Sequence, residues 1–391
     1  MTSRMLHHLR ASALVLPLVL FLALFFVWPI VAMLKQSISD PVVHDTLSQT
    51  SAAVAKWNGK APVPVELQQA LVADIRATTD RQEMGAVVRR LNSAKSGFRT
   101  LMRKTTSAAN KTDGPLDLGK LDKRWDDPEW WHVIAQASSP YTDRYLLAAL
   151  DYGRDKHSNI IALPESASAN KTILSRTFVI SLSVMLSCLA IGLPFAMIIA
   201  SSTGWLRNIL LAAVLLPLWT SLLVRTTAWF IILQNNGLIN SALQALGITD
   251  QPIPLIFERS GVIIAMTHVL LPFMVLPIYS VLLSMPKNLM QAASSLGAHP
   301  VIAFLKVMLP LSARGIASGS LLVFMSSIGY YITPALIGGP SDQMISSVIA
   351  FYATESANWG MAGALGLVLL SITMLLYIVY GRLSSEKPGA A

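Results

Sequence analysis

The chain has 391 residues, of which 53% are hydrophobic and only 13% are charged, and its mean hydropathy is +0.54. This balance excludes an ordinary soluble globular protein and predicts a membrane protein with several spans. The formal net charge of +9 is interpreted as a sign of membrane topology, and nucleic-acid binding is not expected.

Six apolar stretches are long enough to cross the hydrocarbon core, which needs about 20 residues per helix. None of them has Asp or Glu in its interior. The sequence therefore predicts an all-α polytopic membrane protein with six transmembrane helices. The predicted spans are residues 12–34, 173–201, 209–233, 261–283, 311–336 and 361–380.

The first apolar stretch follows Arg4 and Arg10, so a cleaved signal peptide is an alternative interpretation. The stretch is longer than the usual apolar region of a signal peptide and has no clear small-residue cleavage site. We therefore expect a transmembrane helix, preceded by a short tail, over residues 1–34.

Charged residues concentrate between the first two predicted spans. Residues 35–173 hold 19 of the 30 Lys and Arg and 16 of the 21 Asp and Glu. Long loops are translocated largely regardless of their charge, so we interpret residues 35–172 as a soluble, mostly helical extracytoplasmic insert.

Within the insert, apolar residues between Leu67 and Met102 recur at three- and four-residue steps. This pattern predicts two amphipathic helices with a break near residues 79–80. Residues 107–119 are expected to form a loop, and the Trp-rich segment 125–132 a surface that packs or binds. Simple packing of these helices, a ligand-binding role and attraction to lipid headgroups all stay open.

Basic residues in the short connections predict the orientation, because they are retained on the cytoplasmic side. Arg207 lies in the second connection, Lys306 in the fourth, and Arg382 follows the last span. Both termini are therefore expected in the cytoplasm. A core of five helices would comprise residues 173–383, followed by a cytoplasmic tail over residues 384–391.

Several kinds of chemistry are not expected in this chain. The single cysteine, Cys188, excludes an internal disulfide, and the histidines lack metal-ligand spacing. No P-loop or nucleophile-elbow motif is present, so the chain is not expected to be an enzyme or to hold a cofactor or metal of its own. His268, inside the fourth span, is predicted to hydrogen-bond between helices rather than to relay protons.

Polar and aromatic side chains inside the third and fifth predicted spans are candidates for a solute pathway. An ionisable residue inside a membrane is a functional-site hypothesis by default, although a structural or snorkelling arginine stays open for Arg225. Aromatic rings offer cation–π contacts to a cationic solute, whereas an arginine without a nearby carboxylate disfavours one. The candidates are Trp219, Thr220, Arg225, Trp229, Tyr330, Tyr331 and Thr333.

The connection 285–310 carries small residues and prolines at defined spacings. Adjacent alanines let a helix approach a partner closely, and Gly297 permits a sharp turn. Pro300 should prevent the helix from continuing, and Leu309-Pro310 should restart the chain into the next span. A helix-turn-helix that presents an interaction surface is therefore predicted. Its key residues are Gln291, Ala292, Ala293, Gly297, Ala298, Leu309 and Pro310.

This spacing resembles the E-A-A-x3-G-x9-I-x-L-P loop of ABC-importer permeases, with Gln291 in place of the acidic residue. Longer stretches resemble, more specifically, the first permease subunit of spermidine/putrescine-type ABC importers. The resemblance covers about residues 172–383, whereas such permeases have a much shorter first outer loop. The stretches are residues 215–229, 236–240, 270–277 and 329–340.

The resemblance implies a type I ABC importer permease fold in a bacterial inner (plasma) membrane, surrounded by lipid. It also implies a second permease subunit, an extracytoplasmic substrate-binding protein and a cytoplasmic ATPase dimer that binds ATP and Mg and receives the loop 285–310. The solute of first choice is a polyamine, putrescine or spermidine, and amino-acid-like solutes stay open. A membrane receptor whose insert senses a ligand is the alternative function, while a channel or secondary transporter is disfavoured by the lack of intramembrane acids.

Overall fold

The structure, a computed structural model, describes residues 14–112, 114–155, 159–164, 168–286, 288–356 and 358–385. The residues before the first predicted span, including Arg4 and Arg10, and residues 386–391 of the predicted C-terminal tail lie outside the described residues. Two compact units are present. One comprises Met1–Ala148 with Trp359–Ala364, and the other comprises Ala149–Asn358 with Leu365–Ala391.

The described elements are almost entirely helical. In the first part of the chain they are α1 (Leu14–Ile38), α2 (Val42–Thr46), α3 (Ser48–Lys56), α4 (Val65–Ala77), α5 (Arg81–Ala94), α6 (Phe98–Ala109), α7 (Leu118–Leu121), a 3-10 turn (Lys123–Asp126), α8 (Pro128–Ala137) and α9 (Arg144–Ala149). A small antiparallel hairpin follows, with β1 (Tyr152–Arg154) and β2 (Ile160–Ala162).

The remaining elements include the longer apolar helices. They are α10 (Asn170–Ser201), α11 (Gly204–Trp219), α12 (Leu222–Ile232), α13 (Leu238–Ala245), α14 (Arg259–Ser284), α15 (Leu289–Ser295), α16 (Pro300–Gly329), α17 (Ile332–Ile337), a 3-10 turn (Pro340–Asp342), α18 (Ile345–Thr354) and α19 (Trp359–Ser385).

Five helices in the described part of the chain, α1, α10, α14, α16 and α19, are long and apolar enough to cross a membrane. The predicted third span differs, because it consists of α11 and α12, which meet at an angle of 102°. The number of candidate spans is therefore five, or six if the bent pair counts as one. Pro217, near the end of α11, lacks an N–H and disfavours continuation of the helix.

The predicted fifth span also differs from the structure. Helix α16 begins at Pro300 and ends at Gly329, and Tyr330 is extended (φ −71°, ψ 129°) before the short α17 begins. Pro334 lies in the first turn of α17, where its missing N–H would have no intrahelical partner in any case. The chain therefore does not continue as one straight helix to residue 336.

Leu309-Pro310 does not restart the chain, contrary to the expectation from sequence. The helix is already formed at Pro300 and passes through a π-helical turn, Phe304–Met308, directly before this dipeptide. A wider turn relieves the clash between a proline ring and the preceding carbonyls. The same arrangement occurs in α1, where the π turn Ala23–Val27 precedes Pro29.

Helices α10, α14 and α16 pack together as the core of the second unit. Small residues face large ones at their contacts, since a Cβ added to Gly192 or Gly319 would lie within 3.0 Å of Met274. Glycines at such positions let membrane helices approach closely. Cys188 is buried in this core and is a free thiol.

The insert has its own hydrophobic core. Trp125 and Trp131 are completely buried, with ring centroids 5.0 Å apart. Their indole N–H groups are satisfied, since Trp125 donates to Thr105 Oγ1 at 3.0 Å and Trp131 donates to the Trp125 carbonyl at 2.9 Å. The Trp-rich segment therefore packs inside the unit.

Polar contacts on and near the same segment are also satisfied. The Arg124 guanidinium binds both oxygens of Asp122 at 2.9 Å. This contact holds the pKa of the Asp122 carboxyl well below its usual range, so the carboxylate stays charged near neutral pH. The ion pair links the 3-10 turn to the aspartate that caps it.

Three helices, α4, α5 and α6, occupy the region for which two were predicted. The unforeseen break between α5 and α6 is at Gly97, which has a positive φ of 103°. The Asn92 side chain stabilises the turn by accepting the backbone N–H groups of Gly97 and Arg99, at 3.2 and 3.1 Å. The loop expected over residues 107–119 is shorter, because α6 continues to Ala109 and α7 begins at Leu118.

The two ends of the helical excursion meet. Asp40 N–H donates to the Pro140 carbonyl at 3.0 Å, and Thr142 N–H donates to the Ile38 carbonyl at 2.9 Å. Between them Ser39 and Tyr141 form an isolated antiparallel bridge. We call these contacts, made by residues 38–40 and 140–142, the waist of the insert. The segment between them, residues 41–139, therefore begins and ends at the waist.

Candidate functional site

Arg225 lies in the first turn of α12, immediately after the 102° bend. One terminal nitrogen of its guanidinium donates to the Thr220 carbonyl at 2.9 Å, within the segment that joins α11 to α12. This carbonyl lies outside a regular helix, so the contact satisfies an acceptor that the bend exposes. Arg225 Nε is buried and has no hydrogen-bond partner among the described residues.

The two predicted groups of pathway residues meet at Thr226 and Thr333. Their hydroxyl oxygens lie 3.3 Å apart and both side chains are buried, on α12 and α17. Both helices follow a break in a longer apolar run. Non-helical backbone inside a membrane protein is tolerated where protein or a water-filled cavity surrounds it, which makes paired breaks typical of solute sites.

Trp229 and His268 join a third helix to this region. The indole N–H of Trp229 donates to His268 Nδ1 at 3.1 Å, and the two rings meet edge to face with centroids 5.4 Å apart. His268 lies on α14, so the contact confirms the predicted interhelical hydrogen bond. Since Nδ1 is the acceptor, the proton of a neutral ring is on Nε2.

The other predicted pathway residues are arranged less uniformly. Trp219 is 86% exposed at the end of α11, and Tyr331 is 46% exposed between α16 and α17. Tyr330, at the same break, packs against the core of the second unit. Arg225, Thr226, Trp229 and Thr333 are thus positioned by helix contacts, while Trp219 and Tyr331 present aromatic surface.

Helix α18 was not predicted as part of this region. Ser346 Oγ donates to the Ile328 carbonyl, and Ser347 Oγ donates to the Tyr331 carbonyl at 3.2 Å. These hydroxyls satisfy carbonyls that the break after α16 leaves without helical partners. A ten-residue apolar helix is too short to be found as a span, and the pair of serines is the signal that sequence reasoning missed.

Asp342, in the 3-10 turn before α18, carries a carboxylate that could balance the charge of a cationic solute. In the structure its carboxylate is buried, accepts from Arg259 Nε at 3.2 Å and from the Ser341 hydroxyl at 3.2 Å. The charge of Asp342 is therefore already balanced by Arg259.

The loop 285–310 forms a short helix, a turn and a second helix, as predicted. Gly297 N–H donates to the Ser294 carbonyl at 2.9 Å, and Ala298 N–H donates to the Ala293 carbonyl at 3.0 Å. These two bonds, with Gly297 in the left-handed region (φ 81°), form a Schellman motif at the end of α15. The hydrogen bonds of this motif therefore explain why Ala293, Gly297 and Ala298 occur at this spacing.

The loop also exposes apolar side chains. Leu296 is 89% exposed, Val301 57%, Ile302 48% and Leu305 52%. Gln291 and Ala292 are exposed on α15 as well. Leu296 lies on the turn itself, whereas Val301, Ile302 and Leu305 lie at the start of α16, a candidate span, where exposed apolar side chains can face lipid or another protein.

Comparison with known proteins shows which family the chain is similar to. Residues 192–386 match the family described as the binding-protein-dependent transport system inner membrane component. The spermidine/putrescine transport system permease protein PotB of Escherichia coli K12 is 34% identical over 212 residues, which is 54% of this chain and 77% of PotB.

The chain belongs to this family. It is therefore the permease component of an ABC importer, a multi-pass inner-membrane protein whose ATPase activity is on a separate subunit. Such a permease works with an ATPase and with a substrate-binding protein.

Two further relatives are similar to about half of the chain. PotB of Haemophilus influenzae Rd is 36% identical over 195 residues, 50% of this chain and 68% of that protein. The inner membrane ABC transporter permease protein YdcU of Escherichia coli K12 is 32% identical over 226 residues, 54% of this chain and 71% of YdcU.

Proposed function

We propose that this permease forms the translocation pathway for a polyamine, putrescine or spermidine. The observation that supports the solute most directly is the 34% identity to PotB, a spermidine/putrescine permease, over 77% of that protein. The exposed Trp219 and Tyr331 at the helix breaks agree with this proposal, since aromatic faces attract organic cations.

The pathway in this proposal passes the region where α12 and α17 meet. Trp219, Thr220, Arg225 and Trp229 approach it from one break, and Tyr330, Tyr331 and Thr333 from the other. Because Arg225 carries a positive charge and Asp342 is already paired, a cationic solute needs carboxylates from elsewhere. A second permease subunit, homologous or identical to this one, would supply them.

The loop 285–310 would couple the ATPase dimer to the helices of the permease. In our proposal α15 docks into the ATPase dimer through Gln291, Ala292, Ala293, Gly297 and Ala298, while Leu309-Pro310 lies inside α16, directly after its π-helical turn. Gln291 is uncharged, so docking depends on shape, on hydrogen bonding and on the exposed apolar side chains of the loop. Closure of the ATPase dimer would then move the permease helices as rigid bodies.

The topology follows from the position of this loop. Both termini and the loop 285–310 are in the cytoplasm, and the helical insert is on the opposite side of the membrane. There the insert is positioned to meet the substrate-binding protein, lipid or the second permease. In this proposal the orientation deduced from the basic residues of the short connections also assigns the folded insert to the outer side of the membrane.

An amino-acid-like solute is the second candidate, and Arg225 favours it. A guanidinium with an unsatisfied buried Nε is suited to bind a carboxylate, which polyamines lack and amino acids carry. The two candidates therefore differ in whether Arg225 contacts the solute or a protein group.

Calorimetry on the cognate substrate-binding protein separates the two solutes. We expect saturable binding of spermidine or putrescine at micromolar or lower concentration, and no binding of the common amino acids. Binding of an amino acid without polyamine binding would contradict the polyamine proposal and support the second candidate.

A further inference from the structure

A cavity of about 560 Å³ lies between α15 and the ends of the neighbouring helices in the second unit. Its walls are mostly apolar, and four of its side chains are methionines from four different elements or connections. This volume is in the range of ligand-binding cavities, about 300–1,000 Å³. The methionines are Met197, Met285, Met290 and Met308.

Polar groups line only one side of the cavity. Ser201 is the last residue of α10, Thr203 comes from the connection between α10 and α11, and Arg207 comes from the first turn of α11. Arg207 Nε donates to the Ser202 carbonyl at 2.8 Å, which fixes the side chain at this wall. Its two terminal nitrogens make no other hydrogen bond within the described part of the chain. The cavity is thus amphipathic, and Arg207 is the one charged residue among the described residues that line it.

The cavity lies where candidate spans end. Helix α10 ends at Ser201 and α14 ends at Ser284, so the surrounding backbone passes from an apolar span into a polar connection. Trp205, beside this wall in sequence, is 73% exposed. An exposed tryptophan next to an arginine at a helix end is typical of the membrane–water interface.

We propose that this cavity binds an anionic phospholipid of the inner membrane, with one acyl chain among the methionines and the phosphate against Arg207. Unbranched, polarisable methionine side chains adapt to a flexible chain. A guanidinium pairs with phosphate through charge-assisted hydrogen bonds, and anionic headgroups are attracted to basic residues at the bilayer surface. The acyl chain would then occupy the space beneath α15 and support the loop 285–310 from below.

This proposal does not depend on the identity of the solute, so binding is measured directly. The full-length chain, stripped of lipid in detergent, is titrated with palmitoyl-oleoyl phosphatidylglycerol (POPG) or the zwitterionic phosphatidylcholine analogue (POPC), and bound lipid is counted by native mass spectrometry. We expect one POPG bound at least about tenfold more tightly than POPC, the scale of one charge-assisted contact.

Two kinds of variant locate the lipid. Arg207→Gln should weaken POPG binding about tenfold and POPC binding much less, because the choline ammonium of POPC already offsets the charge of its phosphate. Met290→Trp and Ala200→Phe fill the cavity from opposite walls, and each should abolish binding of both lipids. Arg314→Gln, at an exposed arginine of α16 outside the cavity, is the matched control and should bind like the wild type.

Each variant is checked by its elution volume and melting midpoint, and two filling variants are used so that misfolding of one does not decide the result. Unchanged POPG binding in both folded filling variants would place the lipid elsewhere and overturn the proposal. Equal affinity for POPG and POPC, an unaffected Arg207→Gln variant, or binding of free oleate without phospholipid would overturn it as well.

Discussion

Arg225 has a polar atom without a hydrogen-bond partner in the described part of the structure. Its guanidinium bonds to the Thr220 carbonyl across the bend, and its buried Nε has no acceptor among the described residues. A buried charge is costly unless it is paired, so an acceptor from the solute or from a second permease is expected. With either candidate solute, we therefore expect a substitution of Arg225 to reduce transport.

Replacing Arg225 by Gln should lower the rate of ATP-driven uptake about tenfold, because a hydrogen bond to a charged group contributes about 1.5–3 kcal/mol. Arg225→Lys should not restore the rate, since an ammonium lacks the planar fork. Uptake by reconstituted vesicles measures both effects. Arg176→Gln on α10 is the control, and equal uptake in the Arg225 and Arg176 variants would remove Arg225 from the pathway.

The Thr226–Thr333 contact gives a prediction that needs no knowledge of the solute. A double-mutant cycle with Thr226→Val and Thr333→Val should yield a coupling energy of about 0.6 kcal/mol, the average for side-chain hydrogen bonds in membrane proteins. Unfolding of the purified chain in detergent measures it. Thr226→Ser retains the hydroxyl and should retain the coupling; a coupling of zero would mean that the two breaks are not linked through these groups.

At the scale of elements, the loop 285–310 depends on the left-handed conformation of Gly297. A Cβ at this position would meet no atom within 4 Å, so a substitution acts through backbone strain and not through a clash. Gly297→Val should therefore distort the Schellman turn, whereas Gly297→Asn should be tolerated because asparagine adopts this conformation more readily.

The two Gly297 variants test coupling directly. We expect Gly297→Val to abolish ATP-driven uptake while the chain remains folded and associated with the membrane, and Gly297→Asn to retain most of it. Circular dichroism and uptake measured on the same preparations provide the comparison. Normal uptake by the valine variant would show that the shape of this turn does not transmit ATP binding.

Much of this architecture follows from sequence, and the exceptions have physical causes. Hydropathy predicts the bounds of α10, α14 and α19 to within a few residues, because a long apolar run in a membrane is stable as a helix that spans it. It does not report the direction of the backbone, so the bend after α11 and the break after α16 were missed. Pro217 and Pro334 accompany these breaks, but a proline in an apolar run does not by itself show whether the helix continues or in which direction the chain turns.

The candidate site was predictable only in part. Polar and aromatic residues inside spans identified Arg225, Trp229 and Thr333, since such residues are costly there without a role. Sequence alone did not show that Thr226 contacts Thr333 or that Ser347 supports the break from α18, because these contacts join segments far apart in the chain. The Gly97 turn of the insert was missed for a similar reason, as the Asn92 side chain completes it.

The insert offers a further prediction at the scale of elements. Its ends meet at the waist, so replacing residues 41–139 by a two-residue glycine turn should leave the flanking helices connected without strain. The shortened chain should purify as a monodisperse protein with an unchanged melting midpoint for the second unit.

A shorter deletion that starts within the insert and away from the waist, such as residues 65–137, is the control and should aggregate. The waist is where the chain leaves and returns, so the positions of the ends, and not the amount of chain removed, should decide the outcome. Aggregation of both shortened chains would mean that the insert is required for folding of the permease.

At the scale of the whole molecule, the chain is a permease with a large helical addition. Membership in the importer family rests on the match of residues 192–386 to the family and on relatives such as PotB, which is 34% identical over 212 residues. The insert has its own core of buried tryptophans and needs no disulfide. Transport and coupling are therefore expected from the second unit, and the insert is expected to adjust how the assembled importer meets its surroundings.

The central claim is that this chain carries polyamine across the membrane when the ATPase binds and hydrolyses ATP. The direct measurement is uptake of labelled spermidine and putrescine by vesicles that contain the complete importer, with the substrate-binding protein outside and ATP inside. The account predicts saturable uptake that requires ATP and is lost in the Gly297→Val complex. Uptake that persists without ATP, or vigorous ATP hydrolysis with no movement of either polyamine, would contradict it.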